Sequence, residues 1–384
     1  MRLFFKVLTA LTAFALLLTA AVQAAVPKLN CRAAVLMDAK TGQVLFEKDM
    51  HKRSAPASTT KILTAIIAIE SGRLDEVVRV SPRAAGTGGS SMNLYAGQTL
   101  TLRELVTGLM LRSGNDAAVA IAEHLAGSVE AFAAMMNKRA QEIGAVNSHF
   151  VNPHGLTAPG HFSTAFDLAW LARYALSNPV FAQIVNTKET TIEWLDRSGR
   201  ERDRNLRNTN KLLWMLEEAD GVKTGTTSEA GPCLVASATR GNQRLITVVL
   251  HDHARWYNSM MLLKHGFDSY DLFEYADEGD VLAAIPVESG QADMADAVVA
   301  TPAALVVAAA DYPYVSVELD LPEKIKAPVY QGQKIGEIIF YVHDKAVKTV
   351  DVIAGKDIAE RTPATVFFDQ LLRLFGLLAN WGVL

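Results

Sequence analysis

Alternation and helical periodicity divide the chain into elements before any residue is considered for its chemistry. In CRAAVLMDAKTGQVLFEKD, apolar and polar positions alternate on both sides of Ala39 to Gly42, which predicts a hairpin turning at Lys40-Thr41-Gly42. From Ser58 to about Ser71, residues Ile62, Leu63, Ala65, Ile66 and Ile69 recur at helical spacing behind the helix-start residues Ser58, Thr59 and Thr60. TLRELVTGLMLRSGNDAAVAIAEHLAG reads as two helices meeting at Ser113-Gly114-Asn115, with Gly114 breaking the first and Asn115 capping the second. STAFDLAWLARYALSN is a further helix opened by Ser163. GVKTGTT, GPCLVASAT and RLITVVLH read as strands, the last two joined by Arg240-Gly241-Asn242, and RWYNSMMLLKHGFDSYDLF returns to helix. Strands at both ends of a helical middle predict an α+β domain: one antiparallel sheet flanked by helices, with an all-helical lobe inserted.

Past about Glu274 the pattern changes to short strands separated by Pro and Gly, namely AALVVAAAD, VSVELDL, GEIIFYVHD and KTVDVIA, which predicts a small all-β domain. The two ends of the chain differ from both domains. Arg2 and Lys6 precede the apolar stretch Val7 to Leu18, and Val22-Gln23-Ala24 offers small residues around a cut, so residues 1–24 are expected to be a secretory signal peptide. In VFFDQLLRLFGLLANWGVL, Asp369, Arg373, Gly376 and Asn380 form one narrow polar stripe on a helical wheel, while Phe367, Phe368, Leu371, Leu372 and Trp381 share the rest. That segment is short for a bilayer span, so residues 363–384 are expected to be an amphipathic helix lying in a membrane surface. The expected divisions are 1–24, 25–274, 275–362 and 363–384. The expected location is extracytoplasmic, periplasm or cell surface, on the outer face of the cytoplasmic membrane.

Composition adds exclusions. With 37 basic and 41 acidic residues, no charge asymmetry points to nucleic acid. Two cysteines, Cys31 and Cys233, do not make a disulfide scaffold. A bridge between them would suit an oxidising compartment, but GPCLVASAT reads Cys233 as one more small core residue. The pair His251 and His253 is expected in a polar turn near the cleft and not in a metal site, so no metal or other cofactor is expected. Trp194, Trp214 and Trp256 are expected in the core or the cleft wall.

The candidate chemistry begins with Ser58 and Lys61. A serine hydroxyl is a poor nucleophile unless a base takes its proton, and residues three apart share a helix face, so Lys61 stands beside the Ser58 hydroxyl. The lysine serves as base only when neutral, and burial among Ile62, Leu63 and Ile66 with a second cation nearby would drive it there. Ser113-Gly114-Asn115 follows about 55 residues on, at a helix break, and Lys223-Thr224-Gly225 lies about 110 residues further, on a strand. Ser-x-x-Lys, Ser-x-Asn and Lys-Thr-Gly, in that order, recur in penicillin-binding proteins and class A β-lactamases.

The chain resembles the low-molecular-mass penicillin-binding proteins that are serine-type D-alanyl-D-alanine carboxypeptidases, peptidase family S11. PASTTKILTA, LMLRSGNDAAVAIAEH, FVNPHGL, ADGVKTGTTSEAG and LLKHGFDSY carry the likeness, which extends over the β domain and the C-terminal helix. The resemblance implies the penicillin-binding/β-lactamase-like transpeptidase fold, a peptidoglycan pentapeptide substrate and covalent inhibition by β-lactams. It further implies that Ser58 attacks the penultimate D-alanine carbonyl with Lys61 as base, and that Ser113 relays a proton to the leaving amine. Asn115 would hold a substrate amide, and Lys223 would keep Lys61 neutral and support the Ser113 hydroxyl. The oxyanion would be met by the backbone N–H groups of Ser58 and Thr226. Thr224, with Gly225 and Thr226 on a strand open to β-augmentation, and Arg255 would bind the substrate and its free carboxylate. Some relatives have an arginine where this chain has Thr209. The Glu-x-x-Leu-Asn pattern with which class A β-lactamases deacylate is absent between Asn115 and Lys223, which implies slow release of penicillin. A D,D-endopeptidase, a weak β-lactamase and a catalytically inactive peptidoglycan-binding scaffold are the rival readings.

Overall fold

The computed structural model describes residues 29–362 apart from 196, 197 and 199, so the expected signal peptide and C-terminal helix lie outside the described residues. The chain divides into two compact units, one ending at Tyr270 and the other beginning at Asp271.

The first unit is built on a five-stranded sheet of β1 (Ala33–Asp38), β2 (Val44–Lys48), β3 (Ala219–Thr227), β4 (Gly231–Arg240) and β5 (Gln243–Leu250), in the order β2-β1-β5-β4-β3. Every neighbouring pair is antiparallel. Every residue of β1 is buried, because helices cover both faces of the sheet. Its side chains alternate between two cores: Val35 and Met37 join Ile62, Leu109 and Val248, whereas Ala34 and Leu36 join Leu234, Leu245 and Leu262. The hairpin closes as expected, with Asp38 Oδ1 accepting from the Thr41 amide at 2.7 Å and its hydroxyl at 2.8 Å.

A 3-10 turn, Ala57–Thr60, leads into α1 (Lys61–Glu70), which is buried from Lys61 to Ile69 and runs through the centre of the unit. Around it stand α2 (Leu102–Leu111), α3 (Asn115–Ala126), α4 (Val129–Ile143), α5 (Ala165–Leu176) and α6 (Pro179–Asn186), while α7 (Arg255–Ser269) covers the other face of the sheet. A capping box fixes the start of α2: the Thr101 hydroxyl accepts from the Glu104 amide, and the Glu104 carboxylate accepts from the Thr101 amide.

Three local expectations are corrected. The cap of α5 is Thr164, whose side chain accepts from the Asp167 amide, while the Ser163 hydroxyl is engaged with Ser148. Asn115 is the first residue of α3 and not its cap; Gly114 holds the cap position and the Asn115 side chain is used elsewhere. The helix of RWYNSMMLLKHGFDSYDLF stops at Ser269, and Tyr270–Ala276 is a strand paired with Ala303–Ala308. Two small antiparallel ribbons, Val77–Arg79 with Thr99–Thr101 and Glu189–Leu195 with Glu201–Arg207, complete the unit.

The second unit is all β. Its six-stranded sheet runs in the order Val315–Asp320, Lys334–Val342, Lys345–Ala354, Met294–Val299, Val281–Glu288, Ile325–Lys326, antiparallel except for the last pair. Alternate residues point inward, so Ile285, Ala297, Ile338, Phe340, Val350 and Val352 meet in one apolar core.

Candidate active site

The site forms where the serine turn, the α2–α3 junction and the edge strand β3 meet. Ala57, just before Ser58, has a φ of 49°, and Gly155 packs on it so closely that a Cβ there would lie 1.8 Å from the Ala57 carbonyl oxygen. Gly155 itself has a φ of 86°, so space and backbone conformation both require glycine. Lys61 is completely buried, and its Nζ lies 2.8 Å from Ser58 Oγ, 2.7 Å from Asn115 Oδ1 and 2.8 Å from the His154 carbonyl oxygen. The carboxamide and carbonyl oxygens can only accept. A neutral amine has two hydrogens and one lone pair, so once those oxygens take the hydrogens the lone pair is left for the Ser58 hydroxyl. Burial first, and then the charge of Lys223, hold Lys61 well below the ordinary lysine value, against an opposing pull from Asp116. Lys223 is itself 1% exposed and is pushed down to about 7 by burial and by Arg255.

The loop that supplies the His154 carbonyl is built around Asn152. Its Oδ1 accepts from the His154 and Gly155 amides at 3.3 and 2.7 Å, and its Nδ2 donates to the Leu156 carbonyl at 2.9 Å. One turn beyond Lys61 on α1, the Thr64 hydroxyl donates to the Pro153 carbonyl at 2.7 Å, so the same helix face holds the loop twice. His161 Nδ1 accepts from the Val151 amide, which leaves the proton on Nε2 to be donated to the Thr60 hydroxyl at 3.0 Å. Burial depresses His161 to about 4, and burial with Lys61 nearby depresses His154 to about 3, so both imidazoles are neutral at pH 7.

At the α2–α3 junction Ser113 adopts a φ of 62° and is 6% exposed; its hydroxyl has no hydrogen-bond partner among the described residues. Asn115 spans the site, accepting from Lys61 and donating through Nδ2 to the Gly88 carbonyl at 2.7 Å. One N–H and one lone pair of its carboxamide stay open for a substrate amide. Asp116 is fully buried and ties down the preceding loop: it accepts from the Met92 and Leu94 amides at 2.9 and 3.0 Å and from the Ser91 hydroxyl at 2.6 Å.

The third wall is β3, an edge strand of the sheet. A Cβ on Gly225 would lie 3.0 Å from the Ser58 amide nitrogen and 3.1 Å from the Pro56 carbonyl oxygen, so glycine lets the strand press against the serine turn. Among the described residues Lys223 Nζ donates to the Thr224 carbonyl at 3.1 Å and to no side chain, so the expected support of the Ser113 hydroxyl is not among its hydrogen bonds there. The Thr224 hydroxyl sits 3.1 Å from that of Thr209. Arg255 is committed to the strand: Nη1 donates to the Gly225 carbonyl at 2.8 Å, the Thr226 hydroxyl at 2.9 Å and the Cys233 carbonyl at 3.2 Å. Its Nε and Nη2 have no partner among the described residues.

Lys61 therefore touches both Ser58 and Asn115, and Gly225 carries β3 onto the same turn. The His154 carbonyl, Asp116 and the Thr60–His161 pair were missed; of these only Asp116, a charge inside an apolar helix start, left a readable signal. Cys31 and Cys233 are both buried and unpaired. Trp194 and Trp256 pack on the cores, but Trp214 is 41% exposed under the guanidinium of Arg207 and joins neither core. His251 Nδ1 lies 3.1 Å from the Ala230 carbonyl. Among the described residues no group of three or more His, Cys, Asp or Glu could hold a metal.

The family model described as D-alanyl-D-alanine carboxypeptidase, peptidase S11, matches residues 20–254, the span that contains Ser58, Lys61 and Lys223-Thr224-Gly225. The chain belongs to this family. A second model, the C-terminal domain of penicillin-binding protein 5, matches residues 270–360. Among curated members of the family, the D-alanyl-D-alanine carboxypeptidase DacF of Bacillus subtilis is 34% identical over 337 residues, 85% of this chain and 86% of that protein. DacD of Escherichia coli is 33% identical over 351 residues, 87% and 88% respectively. The crystal structure of penicillin binding protein 5 from Haemophilus influenzae superposes with a TM-score of 0.75 at 29% identity, covering 87% of this chain and 99% of that one. A mutant of the Streptomyces K15 DD-transpeptidase gives 0.61 at 32% identity over 63% of this chain and 99% of its own.

Proposed function

We propose that the chain is a penicillin-binding D-alanyl-D-alanine carboxypeptidase that trims the terminal D-alanine from peptidoglycan pentapeptide stems. The observation that carries this reading is the environment of Lys61, whose two obligate acceptors leave its lone pair to Ser58. Ser58 Oγ attacks the penultimate D-alanine carbonyl while Lys61 takes the hydroxyl proton. The backbone N–H groups of Ser58 and Thr226 receive the oxyanion. Collapse breaks the C–N bond as a proton passes to the leaving amine through Ser113, and the terminal D-alanine departs. Water then cleaves the Ser58 ester, with Lys61 again as base. Lys223 raises the positive potential of the pocket.

The Thr224 and Thr209 hydroxyls, with the uncommitted nitrogens of Arg255, bind the free carboxylate. Without a Glu-x-x-Leu-Asn residue to activate water, the penicilloyl ester persists, which makes β-lactams covalent inhibitors. Work outside the cytoplasm, with anchorage by residues 363–384, is supported by the apolar patterns at the two ends of the chain. The protein and a Ser58→Ala variant are incubated with fluorescent penicillin and with diacetyl-Lys-D-Ala-D-Ala. Labelling and D-alanine release confined to the wild type are expected; labelling without release would replace this reading with an endopeptidase.

A further inference from the structure

Beside the catalytic serine lies a recess of about 450 Å³ that the reaction above does not use. Its walls include Arg32, Arg53, Thr157, Phe162 and Glu229. Ser54 and Ala55, which also line it, lead directly into the serine turn, and the Thr157 hydroxyl lies 3.4 Å from that of Thr227 at the end of β3. The guanidinium of Arg53 sits 4.6 Å above the Phe162 ring, which holds it in place without neutralising it. The side chains of Arg32, Arg53 and Glu229 form no ion pair among the described residues, so two cations and one anion face the same space uncommitted.

The substrate's direction along β3 decides what reaches that space. The free carboxylate of the departing D-alanine belongs at Thr224 and Thr209, and the scissile carbonyl at the Thr226 and Ser58 amides. The acyl part of the stem therefore continues past Thr226 toward Thr227 and the recess. A strand advances about 3.3 Å per residue, so the stem residue next to the penultimate D-alanine, the third of the stem, arrives beside Thr227. We propose that the recess binds the side-chain end of this third residue and selects one bearing both an ammonium and a carboxylate, as diaminopimelate does, over lysine. Arg53 and Arg32 take the carboxylate, Glu229 takes the ammonium, and Phe162 covers the methylenes. This inference rests on the carboxypeptidase reading and names the substrate class of the same site.

The test measures kcat/KM for D-alanine release from pentapeptides that differ only at the third residue: diaminopimelate, its side-chain amide, and lysine. Arg53 and Glu229 are exposed, so the charged contacts are worth roughly 2- to 10-fold, and diaminopimelate is expected to lead lysine by that factor, with the amide falling toward lysine. Arg53→Ala should abolish most of the lead while leaving the lysine peptide and the rate of penicillin acylation unchanged. Glu229→Gln should reduce turnover of the diaminopimelate and lysine peptides together, because both offer an ammonium. Equal kcat/KM for all three peptides, or a loss in Arg53→Ala that is uniform across them, would overturn the recess and leave the carboxypeptidase standing. Absence of D-alanine release from every peptide would bring down the carboxypeptidase reading, and the recess with it.

Discussion

Two lysines of the first unit and two of the second occupy opposite environments. In the first, Lys61 and Lys223 are 0% and 1% exposed, and no carboxylate among the described residues pairs with either. In the second, Lys324 pairs with Glu288 and Lys334 with Glu337 and Asp351, all on the surface, and the core beneath is wholly apolar. Burial lowers the affinity of the first pair for protons, whereas the carboxylate partners raise that of the second. An uncompensated buried amine costs stability, which makes it a candidate for a functional role; the proposed mechanism uses Lys61 as the neutral base and Lys223 as the neighbouring cation. The β unit shows the ordinary arrangement, in which charge stays in water and the interior is left to packing.

The sharpest way to break this contrast is to remove the buried amine. Lys61→Met should lower the rate of acylation by penicillin by about 10³-fold or more. Its effect on stability should stay within about 2 kcal/mol, because unpairing Asn115 and His154 is offset by relief of the buried amine. Acylation within tenfold of wild type would remove Lys61 from the mechanism. The converse test lies in the β unit. Phe340, fully buried, should cost about 3–5 kcal/mol when changed to alanine, read as earlier unfolding of that unit by denaturant, with acylation of Ser58 unchanged. A parallel fall in acylation would contradict the separation of roles. The smallest effect is expected at the surface, where Lys334→Ala should leave the melting temperature unchanged; a clear drop would show that its ion pairs carry more than exposed pairs usually do.

Much of this arrangement was legible in the sequence because it rests on periodic burial. The apolar spacing of Ile62 to Ile69 placed α1, the strand patterning placed β1, β2 and four strands of the second unit but not Val281–Glu288, Met294–Val299 or Ile325–Lys326, and the three-residue interval from Ser58 to Lys61 put both on one helix face. What was illegible depends on distant backbone. No spacing rule announces that the His154 carbonyl will meet Lys61, since that contact is set by Asn152 and by the absence of a Cβ at Gly155. Asn115 read as a cap because Asn favours that position, but Gly114 fills it and frees the carboxamide to bridge Lys61 and Gly88. The strand after Ser269 was read as helix because YDLF continues the apolar spacing of α7, and pairing with Ala303–Ala308 overrides that local preference.

The central claim is that Lys61 works as a neutral base beside Ser58, and the pH profile of the second-order rate of penicillin acylation tests it most directly. A base depressed by burial is fully active above its lowered pKa and loses activity as pH falls through it, so the acid limb should lie far below the ordinary lysine value of about 10.4. Lys223, titrating at about 7, should set the alkaline limb as its charge is lost. Removing that charge in Lys223→Ala should move the acid limb upward, since a positive neighbour no longer opposes protonation of Lys61. A wild-type rate that keeps climbing to pH 10 would mean that Lys61 is an ordinary protonated lysine at neutral pH, and the account of the site would fail.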